Sequence, residues 1–171
     1  MVANLARRDL FRGRLTRPRR PTVPRPPTAI PEADFLAACD GCLACVTACP
    51  EGVVRLDADR RPVLQFVHGT CTFCDLCAAA CPTGALATEG ARPWDARAEI
   101  AGNCLAIGGV HCRSCGDACD ERAVSFVPRP DGRFLPIIDV DRCTGCGACV
   151  GVCPVTAVAV RPAGALREVR A

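Results

Sequence analysis

Apolar positions in the first thirty residues are scattered and settle into no period. Leu5, Leu10, Phe11 and Leu15 are compatible with one short helix, without a clean apolar stripe. Pro18, Pro21, Pro24, Pro26, Pro27 and Pro31 accompany them. Proline has no amide donor and a fixed φ, so this stretch is predicted to be extended and poor in regular structure. Further on, apolar residues come in short runs: VVRL from Val53, ALAT from Ala85, AVSFV from Ala123 and AVAV from Ala157. Each has the length and composition of a strand. RPVLQFV and RFLPIID read as partner strands, and DADR and PDGR supply the turn chemistry of two hairpins. No apolar run reaches 18 residues, so no membrane-spanning helix is expected.

Cysteine sets the stations of those runs. Four units follow one another: Cys39, Cys42, Cys45, Cys49; Cys71, Cys74, Cys77, Cys81; Cys104, Cys112, Cys115, Cys119; and Cys143, Cys146, Cys149, Cys153. Units one, two and four share the spacing C-x2-C-x2-C-x3-C-P. The third has a widened first gap and Asp120 where the others have proline. Four residues past each last cysteine stands Val53, Ala85, Ala123 or Ala157, so the repeat runs on into each predicted strand. The units pair into modules at 32–92 and 93–171, behind a tail at 1–31, with EGARPWDARAE as the boundary stretch.

Composition explains why the cysteines matter. Valine, leucine, isoleucine and phenylalanine are forty of 171 residues, about 23%, a thin stock for an apolar core. A large single-core enzyme is thereby disfavoured, and something besides side-chain packing must hold the chain together. All 21 basic residues are arginine. Residues 1–31 hold eight arginines and one acid, Asp9, a net of +7, while the remainder nets −4. The paired Arg7 and Arg8 resemble an export signal, but arginine and proline interrupt the apolar stretch such a signal needs. The reading is a cytoplasmic protein with reduced thiols, where clustered cysteines mean metal or redox chemistry.

Three cysteines at x2 spacing can wrap one face of a small inorganic cube. Gly41, Gly145 and Gly147 between them let backbone amides approach its sulfides. In the two-cluster bacterial ferredoxin pattern the fourth cysteine ligates the other cluster. Four [4Fe–4S] clusters are therefore expected. The first takes Cys39, Cys42, Cys45 and Cys81; the second Cys71, Cys74, Cys77 and Cys49. The third takes Cys104, Cys112, Cys115 and Cys153; the fourth Cys143, Cys146, Cys149 and Cys119. All sixteen cysteines are used. Cluster binding would couple to folding, leaving the apo chain largely unstructured. Structural zinc favours paired C-x2-C hooks and does not call for this spacing. A disulfide scaffold would want a secretory context. Four oxidised centres add about −8 in total and make the body strongly acidic, which disfavours nucleic acid as a partner. The tail is a docking element or a solvated arm.

The remaining candidates read blandly. His111 and His68 are loop residues beside complete cysteine sets, and Asp75 is not needed as a ligand. Trp94 falls in the boundary stretch, where packing between modules is its expected role. The sequence carries no catalytic triad, phosphate loop or flavin fingerprint, so no enzymatic activity is expected.

The start ARRDLFRGR, two regular units, the third unit CLAIGGVHCRSCGDACDERAVSF and the regular CTGCGACVGVCPVTAV together make a specific pattern. Over nearly the whole chain it resembles the NapF ferredoxin-type proteins of periplasmic nitrate reductase systems. The resemblance implies an α+β fold of two tandem bacterial-type 2[4Fe–4S] ferredoxin modules, with short strands and short helices behind an extended basic tail. It also implies a cytoplasmic accessory protein. Its partner would be the catalytic molybdenum subunit of the reductase before export, served by electron delivery or by help with cluster assembly. A redox donor protein is a further possible partner. The competing readings are a general electron carrier or a subunit of a larger redox complex, and a module whose clusters serve only as staples.

Overall fold

A computed structural model describes residues 24–89 and 94–162. The short helix considered around Leu5–Leu15, the paired arginines and the tail through residue 23 lie outside the described residues, as do 90–93 of the boundary stretch.

Two hairpins appear where the runs predict them. Strand β1 (Val54–Leu56) pairs with β2 (Pro62–Leu64), Val54 opposite Leu64. Strand β4 (Val124–Pro128) pairs with β5 (Phe134–Ile138), Val124 opposite Ile138. Both turns are closed by aspartate. Asp57 Oδ1 accepts the amides of Asp59 at 3.0 Å and Arg61 at 2.8 Å. In the second turn Asp131 Oδ1 accepts the amide of Arg133 at 3.0 Å. These side-chain acceptors substitute for a backbone carbonyl in the tight turn.

The AVAV run is the start of β6 (Val158–Pro162), which pairs with β3 (Ala96–Ile100). Both strands alternate buried and half-buried positions, as a sheet with one covered face requires. The C-terminal part of the boundary stretch is thus a strand. The ALAT run falls short of its prediction: only Leu86 bridges, to Ala29. Ile30 donates to Ala85 O at 3.2 Å and Ala87 to Thr28 O at 2.8 Å. Pro26, Pro27 and Pro31 flank the partner segment and lack the amides that would extend the ladder.

The helices are short. Helix α1 (Glu32–Ala38) buries Phe35 and carries Glu32 and Asp34 in its first turn, where the helix dipole favours acids. Helices α2 (Ala44–Ala48), α3 (Leu76–Ala79), α4 (Ser114–Asp117) and α5 (Ala148–Gly151) each carry the third cysteine of a unit.

Residues 24–31, assigned to the tail by composition, are built into the fold. Pro24 and Pro26 are fully buried, and Pro24 O accepts the amide of Leu64 at 2.8 Å. Arg25 is 4% exposed. Its guanidinium meets Glu32 and Asp57 at 3.0 Å each and donates to Pro62 O at 3.1 Å. It also lies 4.8 Å over the Phe35 ring. Three fixed acceptors and a ring face account for an arginine inside a protein.

Two apolar clusters form the core. The larger gathers Phe35, Val53, Val54, Leu64, Phe66 and Leu86 with small residues and cysteines. The smaller has only Ala98, Ile100, Cys149 and Val158 as buried members. Half-buried cysteines line both, so the interior is as lean in hydrocarbon as the composition implies.

Candidate metal centre

Each regular unit is a loop that turns through the left-handed region and then into one helical turn. The residue before the second cysteine has positive φ in all three: Gly41 (φ 73°), Phe73 (φ 55°) and Gly145 (φ 72°). So does the residue after it: Leu43 (φ 73°), Asp75 (φ 58°) and Gly147 (φ 85°). In the widened third unit the matching residue, Arg113, is at φ −131°. A third station lies three residues past every last cysteine: Gly52, Gly84, Arg122 and Thr156, at φ 60°, 71°, 49° and 50°. There the backbone folds back on its own cysteine. The amides of Ala123 and Ala157 donate to Cys119 Sγ at 3.3 Å and Cys153 Sγ at 3.2 Å. Leu86 donates to Cys81 Sγ at 3.4 Å.

The last cysteine of a unit sits with the partner unit. Cys81 lines one hollow with Cys39, Cys42 and Cys45. Cys49 lines another with Cys71, Cys74 and Cys77. Cys119 lines a third with Cys143, Cys146 and Cys149. These hollows enclose about 320, 410 and 360 Å³, open mouths included. Of the remaining set, Cys104, Cys115 and Cys153 pack on one apolar cluster. Cys104 and Cys112 act electrostatically on Cys115.

Crowding shows in the acidities. Burial, then the neighbouring Cys81 and Cys39, pushes the Cys45 thiol up to about 11. Burial acts likewise on Cys71, also up to about 11, against a backbone bond from Phe73. Cys149 is pushed up to about 12 by burial and by Cys143 and Cys146. Cys77 and Cys115 are raised too, burial being the main cause. Cys81 goes the other way: burial raises it, but the bonds from Leu86, Thr83 and Ala85 outweigh that. Four such thiols can be thiolates together only around a positive charge. Among the described residues no three His, Cys, Asp or Glu side chains converge tightly enough for a single ion. Four cysteines lining one hollow fit a multi-iron group.

Other candidates fall into place. Asp75 supplies a backbone turn. His111 stands edge-on to Phe134, ring centroids 6.3 Å apart, in a hollow bordered by Cys112, Arg113 and Phe126. Trp94 donates from Nε1 to Thr144 O at 2.6 Å and stands edge-on to Phe73 at 6.0 Å, so it joins the second and fourth units. The Thr28 hydroxyl lies 3.7 Å from Cys77 Sγ, a contact no cysteine spacing announces. The left-handed station after each last cysteine was also missed, although aligning the four units on that cysteine locates it. No helix among the described residues is long and apolar enough to cross a membrane.

The family model described as "4Fe-4S dicluster domain" matches residues 38–85 and again 110–157. The first match spans all eight cysteines of units one and two. The second leaves out Cys104, on the far side of the widened gap. The chain is 35% identical to the ferredoxin-type protein NapF of Escherichia coli (strain K12) over 134 residues, 78% of this chain and 82% of that one. It is 32% identical to the Haemophilus influenzae protein of the same name over 165 residues, 92% of this chain and 94% of that one. To the methylamine utilization ferredoxin-type protein MauM of Paracoccus denitrificans it is 39% identical over 158 residues, 80% of this chain and 69% of that one.

Proposed function

The chain belongs to the NapF ferredoxin-type family of 4Fe-4S dicluster proteins, and from that premise we propose that it carries four [4Fe–4S] clusters and serves a periplasmic nitrate reductase as a cytoplasmic accessory. It binds the catalytic molybdenum subunit before export and delivers electrons to it or assists assembly of its cluster. In this reading the two modules are 32–92, against which residues 24–31 pack, and 93–171, and the protein transforms no substrate of its own.

The observation that carries the reading is the company each last cysteine keeps: Cys81 with unit one, Cys49 with unit two, Cys119 with unit four. The third set, Cys104, Cys112, Cys115 and Cys153, follows by the same rule. Bound clusters supply reversible one-electron transfer. The chain supplies thiolates and amides: those of Leu86, Ala123 and Ala157 aim at crossing sulfurs, and that of Ala98 at Cys143 Sγ, 3.5 Å away. Amide donors stabilise negative charge on sulfur and so favour the reduced state.

Anaerobically purified protein is expected to hold roughly sixteen irons, four per centre, and to capture the pre-export catalytic subunit. Removing residues 1–23 tests the tail as the docking element without disturbing the packed Arg25 segment. Sixteen irons with no capture would leave an iron–sulfur carrier and end the accessory role. The MauM likeness supports that second reading, a general electron carrier, because a related ferredoxin-type chain is named for methylamine utilization.

A further inference from the structure

The modules meet on their cysteine loops. The amide of Cys71 donates to the carbonyl oxygen of Cys146 at 2.8 Å. The hydroxyl of Thr70 donates to the same oxygen at 2.9 Å. Glycines stand where the loops press together. A side chain on Gly147 would run into the buried ring of Phe66, and one on Gly151 would come within 2.9 Å of Val67 O. Trp94 ties down Thr144, two residues before Cys146. Val150 packs against both apolar clusters. A carbonyl accepting two donors, with close approaches at two glycines beside it, describes a fixed joint.

Cys71 belongs to the second cysteine set and Cys146 to the fourth. Resting on the four-cluster reading, we infer that electrons cross between modules at this joint and that the centres conduct in the order first, second, fourth, third. Chain order would instead make the second and third centres neighbours. The path at the joint runs Sγ–Cβ–Cα–N–H···O=C–Cα–Cβ–Sγ, from Cys71 to Cys146, with one hydrogen bond and no gap through space. Within each module the sets adjoin: the helices that carry Cys45 and Cys77 pack together, as do those that carry Cys115 and Cys149. The described hydrogen bonds that cross between modules at a cysteine all end on Cys146. One electron leaves the centre held by Cys49, Cys71, Cys74 and Cys77, which goes from the 1+ to the 2+ core. It arrives at the centre held by Cys119, Cys143, Cys146 and Cys149, which goes from 2+ to 1+. No bond forms or breaks and no proton moves. The electron comes from a low-potential one-electron reductant, dithionite in the test below. Thr70 acts as a positioning residue, holding the Cys146 carbonyl on the Cys71 amide.

The test silences centres in pairs in the full chain. Cys42→Ala, Cys45→Ala, Cys112→Ala and Cys115→Ala together leave the second and fourth centres. Cys74→Ala, Cys77→Ala, Cys143→Ala and Cys149→Ala together leave the first and third. Each form should hold roughly eight irons. After dithionite reduction the first form should give an EPR signal split by interaction between its two spins. The second should give two unsplit signals. An unsplit signal from the second–fourth form, or splitting in the first–third form, overturns the order. If a silenced form fails to hold eight irons, hydrogen exchange in the intact iron-loaded protein decides. The Cys71 amide must exchange slowly and speed up at least tenfold in Thr70→Val, and free exchange in the unaltered protein overturns the joint. Absence of iron from the unaltered protein would instead refute the cluster reading itself.

Discussion

Replacing Arg25 with alanine should loosen the first module and leave the second alone. The guanidinium is 5% exposed, and its two carboxylate partners, Glu32 and Asp57, are 24% and 30% exposed. Breaking a fully buried ion pair costs about 3–5 kcal/mol because the abandoned charge stays buried. Here the abandoned carboxylates can draw water, which lowers that figure. Pro62 O loses its donor, at ~1 kcal/mol, and Phe35 loses a stacked cation, at ~0.5–1 kcal/mol. The sum is about 3 kcal/mol, on the order of a hundredfold in an equilibrium or a rate. Cluster loss is irreversible, so the assay is the rate at which visible absorbance bleaches in fixed denaturant under anaerobic conditions. Arg25→Ala should bleach in two phases of equal amplitude, the fast one on the order of a hundred times quicker than the unaltered protein. Arg25→Lys should fall between, since an ammonium cannot fork between two carboxylates. The clamp also has a sign in pH. Burial alone would raise the Asp57 pKa, but the Arg61 amide and the Arg25 guanidinium outweigh it and hold the carboxyl below its usual range. A depressed carboxylate contributes stability that is present above its unfolded value, ~3.9, and is lost as pH falls through the lower folded value. The gap between Arg25→Ala and the unaltered protein should therefore be flat from pH 8 to about 5 and close below about 4. Single-phase bleaching of Arg25→Ala at the unaltered rate would refute the clamp.

Other outcomes follow from the same geometry. Cys81→Ala should lower the iron content from about sixteen to about twelve; by mass spectrometry Cys39, Cys42 and Cys45 should become open to alkylation while Cys71, Cys74 and Cys77 stay protected, and the reverse pattern would refute the crossing. Chelation of iron should abolish the far-ultraviolet dichroism of the strands, because thiolate–iron bonds replace most of the apolar core. Gly116→Val should speed bleaching of the second module, since a Cβ there would stand 2.7 Å from the Phe126 ring, which Arg113 covers at 4.8 Å; overpacking of this kind costs about 1–3 kcal/mol, and an unchanged bleaching rate would show that the ring moves aside.

What could be read from sequence divides along a physical line. Cysteine spacing is short-range and repeated, so a grouping of the thiols could be expected from it, and in three of the sets the four cysteines line one hollow. Short apolar runs and the DADR and PDGR turns announced the two hairpins for the same local reason. Arg25 was illegible because its partners lie 7, 32 and 37 residues away, and a run of arginine and proline looks alike whether solvated or clamped. The failure of ALAT to become a full strand was half legible: the prolines that stop the ladder sit in the partner segment at 26–31, which no spacing rule pairs with residues 85–88. Left-handed turns at Gly41, Gly145 and Gly147 were legible as glycines, whereas Leu43, Phe73, Asp75, Arg122 and Thr156 adopt the same region against their side chains. Each such residue costs about 1 kcal/mol, and the cost recurs at matched stations of the units. Strain repeated in register cannot be accidental packing. It is the backbone that aims amides and cysteines into the hollows, and it persists only if what fills a hollow binds tightly enough to offset it. The third unit, with its widened gap and with His111 and Arg113 both outside the left-handed region, lacks both turns around its second cysteine and lies beside the leaner apolar cluster. On that argument the third centre is the one to leave first when iron is limiting.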